Sequence, residues 1–292
     1  LFLSTIVPNL LVIAAVPFGA SVKVVALIII TSSVLSILIA WSVQARAIPW
    51  LYQGRPRLDW KALLKVAGGS LAEASMPLGM ALSYQFPRIV IAAFLGPVVV
   101  PVFVAHRQLL RFATLTLNFA RPLSAELALN YHEGVDDKNT RFKEMAERFI
   151  QLLFWMCLIV FISIFIFGSW VFDVWTRHEI AFSIPLFLIL AALTFTELLW
   201  RATLVPINMT NMHSPVAWTY IGSGILASIL VVWFVPLFDL QGAASALILC
   251  EAATLYSALR VLSALLKESR WGLLKNIFRP PFWIFTYLKS FI

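Results

Sequence analysis

The segment from Phe149 to Phe172 reads FIQLLFWMCLIVFISIFIFGSWVF, without a single charged side chain. A bilayer core of about 30 Å needs roughly 20 consecutive apolar residues in a helix, so this segment is long enough to cross it. Similar runs recur along the chain and predict eight membrane spans. The other seven are placed at Phe2 to Phe18, Val22 to Val43, Val66 to Leu95, Val98 to Arg121, Ser183 to Met209, Pro215 to Pro236 and Leu240 to Leu262.

The composition of the whole chain excludes a water-soluble monomer and a disordered protein. Of 292 residues, 61% are hydrophobic and 12% are charged, and the mean hydropathy is +0.90. Soluble domains are about 45 to 50% apolar and about 25% charged. The predicted fold class is therefore all-α, a polytopic transmembrane helical bundle. Its two cysteines, Cys157 and Cys250, lie in apolar runs and indicate small buried side chains rather than a disulfide.

The distribution of Lys and Arg predicts the orientation in the membrane. Basic residues cluster after spans two, four and eight, whereas Lys23 and Arg177 lie on the opposite side. The clusters are Arg46, Arg55, Arg57, Lys61 and Lys65; Arg121, Lys138, Arg141, Lys143 and Arg148; and Arg260, Lys267, Arg270, Lys275, Arg279 and Lys289. Because cytoplasmic loops carry the basic excess, both termini are predicted to be cytoplasmic. Topology accounts for the net charge of +8, and no nucleic-acid partner is implied.

An internal repeat predicts the domain organisation. Val16 and Pro17 align with Val235 and Pro236 at an offset of 219 residues, and internal repeats build many transporters. Residues 66–262 would form a six-span C-terminal lobe, and residues 1–43 the last two spans of an N-terminal lobe whose first four spans are absent. Residues 44–65 would connect the lobes in the cytoplasm, and residues 263–292 would form an interfacial cytoplasmic tail.

Seven ionisable side chains lie within the predicted spans, and exposing them to lipid would cost on the order of 20 kcal/mol in total. They are Glu73, Arg88, Arg107, Arg111, Glu197, Arg201 and Glu251. The pattern is clearest in span four, where Arg107, Arg111, Thr114 and Asn118 recur at steps of four, three and four on one helical face. Arg107 falls about 15 Å below the outer end of that span, near the midplane. Arg107 and Arg111 are therefore candidate ligands for an anion.

The other intramembrane charges leave two interpretations open. Glu197 and Arg201 have the spacing of an intrahelical ion pair, so Arg201 is either structural or a ligand. Arg88 is a weaker ligand candidate because it could reach the outer interface. Glu251 is either a proton site or a partner for an arginine, and Glu73 and Glu197 are further candidates for ion coupling. In span three, Pro77 predicts a kink.

Features of a catalytic or metal site are missing from the sequence. Four histidines, at positions 106, 132, 178 and 213, are scattered without metal-ligand spacing, and no glycine-rich phosphate loop precedes a lysine. Asp136 and Asp137 form the single acidic pair, within a charged loop that is predicted to be cytoplasmic. The chain is therefore predicted not to be an enzyme and to need neither a cofactor nor a metal.

Three segments resemble a known transporter family. They are PLGMALSYQFPRIVIAAFLG at 77–96, RPLSAEL at 121–127, and LQGAASA at 240–246 followed by Glu251. These segments look like the second half of polysaccharide-biosynthesis flippases, which belong to the multidrug/oligosaccharidyl-lipid/polysaccharide exporter superfamily. The chain departs from the pattern at Pro87, where relatives often carry an acidic residue before the arginine that is Arg88 here.

The resemblance implies a function and partners. The expected activity is flipping of polyprenyl-pyrophosphate-linked oligosaccharide across the bacterial inner membrane, for O-antigen, capsule or exopolysaccharide synthesis. Membrane lipids and a polysaccharide polymerase or glycosyltransferases are the further partners implied. The substrate-binding residues would be Arg107, Arg111, Arg88, Arg201 and Asn118, because a guanidinium stays charged and makes bidentate phosphate contacts. Two alternatives are a multidrug or metabolite exporter and a non-transporting membrane subunit of a glycan-assembly complex.

Overall fold

The computed structural model describes residues 10–12, 14–15, 19, 21–48, 59–120 and 138–281, which contain no strand. It confirms an all-α bundle, and five of the described helices are long and apolar enough to cross a membrane. The helices are α1 (Val22–Ala47), α2 (Trp60–Tyr84), α3 (Phe86–Leu95), α4 (Val100–Leu115), α5 (Lys138–Thr176), α6 (Ile184–Met209), α7 (Ser214–Leu266) and α8 (Arg270–Phe278).

The chain divides into two compact units, Leu1–Leu63 and Leu64–Ile292. In the first unit, α1 is apolar on every face, as expected of a helix surrounded by lipid. Its serine hydroxyls donate back to main-chain carbonyls, for example Ser36 Oγ to Ser32 O at 2.7 Å. Most of the predicted span from Phe2 to Phe18, residues 49–58 of the predicted connection 44–65, and the loop with Asp136 and Asp137 lie outside the described residues.

Predicted span three consists of two helices, α2 and α3, separated at Gln85. The helix continues through Pro77, where the sequence predicts a kink, and a separate interruption lies just before Pro87. Proline has no main-chain N–H, so Pro87 cannot donate to the carbonyl of Ser83 four residues earlier. The Ser83 carbonyl therefore needs a hydrogen-bond donor from outside its own helix.

Predicted span four consists of α4 followed by a 3₁₀ segment, Thr116–Ala120. At about 1.5 Å per residue in the α-helix and about 2 Å in the 3₁₀ segment, the two parts together reach about 34 Å. That length suffices to cross a bilayer core even though α4 alone is short.

Predicted spans seven and eight are the two arms of α7, which bends at Phe238 and Asp239, where the backbone is non-helical. Asp239 has a φ of 51°, a left-handed conformation that Asp tolerates better than most residues. The arms pack against each other: Thr219 Oγ1 donates to Ser257 Oγ at 3.1 Å. Close to the bend, Gly242 lies directly against the main chain of Phe234. The bend therefore forms a tight helical hairpin.

After the hairpin, α8 packs against α5. Leu273 and Ile277 are buried. Gln151 Nε2 and Trp155 Nε1 both donate to the carbonyl of Arg279, at 2.6 and 2.9 Å. The beginning of the predicted tail is therefore held on the bundle.

Candidate functional site

The main-chain carbonyl that Pro87 leaves free is bonded by a buried arginine. Arg107 Nη1 donates to Ser83 O at 2.5 Å, and Arg107 Nη2 donates to Ser83 Oγ at 3.0 Å. Arg107 is 5% exposed, and its Nε has no hydrogen-bond partner among the described residues. The guanidinium thus supplies the N–H that proline lacks and joins α4 to the break between α2 and α3.

Tyr84, the last residue of α2, lies at the centre of the charged side chains. Its ring is covered by the guanidinium of Arg107, with Cζ 3.8 Å from the ring centroid, and Arg111 Cζ lies 5.4 Å from the same centroid. The tyrosine hydroxyl donates to both carboxylate oxygens of Glu197, at 2.8 and 3.0 Å. Tyr84 therefore links the arginines of α4 to the acidic residue of α6.

Glu197 and Arg201 form the intrahelical pair that their spacing allows. Arg201 Nε lies 2.8 Å from Glu197 Oε1, so the two side chains form an ion pair. Glu197 is 2% exposed, whereas 24% of the Arg201 side chain is exposed. The carboxylate is therefore enclosed, and the partly exposed Arg201 side chain lines a cavity.

Glu251 lies on the other side of this group and is fully buried. Its carboxylate accepts from Trp200 Nε1 at 2.6 Å and from Ser83 Oγ at 3.3 Å. Ser83 Oγ is the same atom that accepts from Arg107. We call Ser83, Arg107, Trp200 and Glu251 the Glu251 network, because Ser83 joins the arginine to the carboxylate through a hydroxyl.

Four guanidinium groups meet in this region, and we call Arg88, Arg107, Arg111 and Arg201 the arginine cluster. Arg88 is half-buried, bonds Gln85 Oε1 at 3.1 Å, and lies near enough to Arg107 and Arg111 for their like charges to repel it. Arg111 is exposed. Within the described ranges, neither Arg88 nor Arg111 forms an ion pair. Two carboxylates, Glu197 and Glu251, face four arginines, so the cluster carries excess positive charge.

Two other predicted site residues lie apart from the cluster. Asn118 is exposed in the 3₁₀ segment after α4. Glu73 has a 68% exposed side chain, and its Oε2 lies 3.6 Å from His213 Nε2. It lines a cavity of about 330 Å³, which also includes Arg201. The remaining lining residues are Met76, Met80, Leu117, Trp200, Leu204, Val205, Asn208, Met209 and Tyr220.

Three residues that hold the site together were absent from the predicted set: Ser83, Tyr84 and Trp200. A sequence signal for Ser83 did exist, because a proline inside a span frees the carbonyl four residues earlier, and a free carbonyl in lipid must find a donor. Tyr84 shares the polar pattern of predicted span three with Glu73 and Arg88, whereas Trp200 had no comparable signal, since aromatic side chains are common in apolar helices.

Comparison with protein-family models, with curated proteins and with solved structures finds no match to the chain.

Proposed function

We propose that the chain belongs to a transporter that flips polyprenyl-pyrophosphate-linked oligosaccharide across the bacterial inner membrane for surface polysaccharide synthesis. The excess of guanidinium groups around Tyr84 carries this proposal. A network that served stability alone would need its charges balanced, because an uncompensated charge at this depth is costly. Four arginines against two carboxylates instead provide a site for an anion.

The two arginines without an ion pair among the described residues suit a pyrophosphate headgroup. Arg111 is exposed and Arg88 is half-buried, so both can turn their nitrogens toward a ligand. Each guanidinium can make bidentate contacts to phosphate oxygens, and two such groups match a diphosphate. The apolar carrier chain would stay in the lipid while the headgroup crosses.

Of the three candidates for ion coupling, Glu251 has the best geometric support. Its direct donors in the described part of the chain, Trp200 and Ser83, are neutral, whereas Glu197 is held by Arg201. A carboxylate held by neutral donors can exchange a proton without breaking an ion pair. We assign the coupling role to Glu251, and we place Glu73 at the mouth of the cavity.

Removing the two outer guanidinium groups tests the transport proposal. The full-length gene product is reconstituted into liposomes with a fluorescent polyprenyl-pyrophosphate-linked oligosaccharide, and a membrane-impermeant quencher measures flipping. Charge-assisted hydrogen bonds contribute about 1.5 to 3 kcal/mol each, so the double variant Arg88→Gln/Arg111→Gln is expected to flip the lipid at least tenfold more slowly. Arg260→Gln, an exposed arginine at the end of α7, is the matched control and is expected to flip normally.

Three results would contradict the proposal. Flipping at the wild-type rate in the double variant would remove the arginine cluster from the headgroup site. Transport of cationic drugs without transport of the lipid would indicate an exporter. Absence of all transport by the wild-type protein, together with co-purification of a polymerase or glycosyltransferase, would indicate a non-transporting subunit.

A further inference from the structure

The cavity beside Arg201 runs along one face of α6. Its lining residues on that helix, from Trp200 to Met209, recur at helical spacing and cover about 14 Å of helix length. Helix α2 forms the opposite wall with Glu73, Met76 and Met80. The Leu64–Ile292 unit contains the entire lining. The space is therefore an elongated cavity within one compact unit.

The two ends of the cavity can be assigned from the helices that bound it. Glu73 contacts His213, which precedes the first residue of α7, so Glu73 lies level with the end of α6 and the start of α7. Arg201 lies eight residues before Met209, or about 12 Å deeper. Tyr220 lies about 9 Å into α7 from its start. Glu73 thus marks the mouth, and Arg201 and Tyr220 mark the deep end.

The deep end offers hydrogen-bond donors to an anion. Glu197 lies against Nε of Arg201, and the two terminal nitrogens make no hydrogen bond within the described residues. Tyr220 is fully buried in the cavity wall, and its hydroxyl is also without a partner among the residues described. A carboxylate or phosphate placed here would satisfy groups that the fold leaves unsatisfied.

The mouth offers hydrogen-bond acceptors instead. Asn208 Oδ1 is buried and has no partner in the described part of the chain. The Glu73 carboxylate is largely exposed and faces His213 at 3.6 Å. Between the two ends the walls are apolar, and three methionines among them, Met76, Met80 and Met209, can adapt to different ligand shapes.

We propose that this cavity binds an amphiphile with two polar ends: an anionic group held by Arg201 and Tyr220, an apolar body of about 10 to 14 Å along α6, and an ammonium or hydroxyl donor held by Asn208 and Glu73. A volume of about 330 Å³ is at the lower limit of small-molecule sites and excludes a whole lipid-linked oligosaccharide. The cavity shares Arg201 with the arginine cluster but is too small for the transported lipid, and this proposal does not depend on the transport of a pyrophosphate lipid.

Three probes of one chain length separate the contributions of the two ends. The full-length protein in lipid nanodiscs is titrated calorimetrically at pH 7 with 11-aminoundecanoate, undecanoate and undecylamine, and the heats from empty nanodiscs are subtracted. We expect 11-aminoundecanoate to bind at least tenfold more tightly than either one-ended probe. Decyl phosphate, measured beside undecanoate, distinguishes a phosphate from a carboxylate at the deep end.

A substitution at one end of the cavity must remove the gain in affinity that comes from the ligand group bound at that end. Arg201→Gln is expected to abolish the advantage of 11-aminoundecanoate over undecylamine, and the charge-balanced Arg201→Gln/Glu197→Gln variant should do the same if the single variant fails to fold. Glu73→Gln is expected to abolish the advantage over undecanoate. Equal affinity for all probes, or unchanged binding in both Arg201 variants, would overturn the proposal even if lipid flipping is normal.

Discussion

Replacing Arg107 with Met is expected to lower the free energy of unfolding by about 3 to 6 kcal/mol, because it removes two buried hydrogen bonds to a charged group, worth about 1.5 to 3 kcal/mol each. The substitution removes the two hydrogen bonds to Ser83 and leaves the carbonyl that Pro87 cannot serve without a donor. It also removes the buried positive charge that Ser83 connects to Glu251. Methionine retains the apolar volume, so the loss reports on the polar contacts rather than on a cavity.

A double-mutant cycle with Glu251→Gln measures how much of this loss comes from the electrostatic interaction between Arg107 and Glu251. Unfolding is measured by denaturant titration in mild detergent for the wild type, both single variants and the double variant. If Arg107 compensates the Glu251 charge, Glu251→Gln should recover at least about 1 kcal/mol in the Arg107→Met protein and little in the wild type. Strictly additive effects would show that Arg107 acts on the Ser83 carbonyl alone.

Substitution of Gly242 by Ala is expected to destabilise the helical hairpin of α7 by about 3 kcal/mol or more. A Cβ atom at this position would overlap the carbonyl oxygen of Phe234, which belongs to the backbone of the facing arm and cannot rotate away. The two arms would have to separate, and contacts such as Thr219 to Ser257 would be lost.

Gly222→Ala is the matched control for the hairpin, because a Cβ there meets no heavy atom within 4 Å. Alanine is the better helix former, so this variant should be as stable as the wild type or slightly more stable. The comparison uses thermal unfolding followed by circular dichroism in detergent. Equal unfolding temperatures for the two variants would mean that the arms are not in close contact.

The helices were predictable from the sequence because the bilayer imposes their length. Apolar runs located the helices of predicted spans two to eight, and the last two of these spans were placed on either side of a short connection between Pro236 and Leu240. The bend at Phe238 and Asp239 lies where two runs meet. The break at Gln85 was not predicted, because a proline within an apolar run shows where a main-chain N–H is missing but not whether the helix is interrupted there.

The arrangement of the charged residues was less predictable. Helical spacing placed Arg107 and Arg111 on one face of α4, yet Arg107 is buried against Ser83 and Arg111 is exposed. Helical spacing shows which residues of α4 share one side of the helix. It does not show which of those residues a neighbouring helix covers and which stay exposed. The link from Tyr84 to Glu197 joins two helices that are far apart in sequence. Such a contact follows from tertiary packing and has no local sequence signature.

If the arginine cluster faces an aqueous space that admits an anion at mid-membrane depth, a side chain at position 111 must be accessible to water-soluble reagents. The most direct test is cysteine labelling in a background that carries Cys157→Ala and Cys250→Ala, both of which replace buried thiols. A cysteine is introduced at Arg111 in one variant. In the control variant it replaces Ile159, which is 62% exposed in the middle of the apolar part of α5.

Both variants are treated with an anionic, membrane-impermeant methanethiosulfonate reagent, with and without a polyprenyl pyrophosphate. We predict rapid modification of Arg111→Cys, slowed by the pyrophosphate lipid, and no modification of Ile159→Cys. Resistance of Arg111→Cys to the aqueous reagent as complete as that of Ile159→Cys would contradict an anion site at the arginine cluster, because the side chain would then face acyl chains.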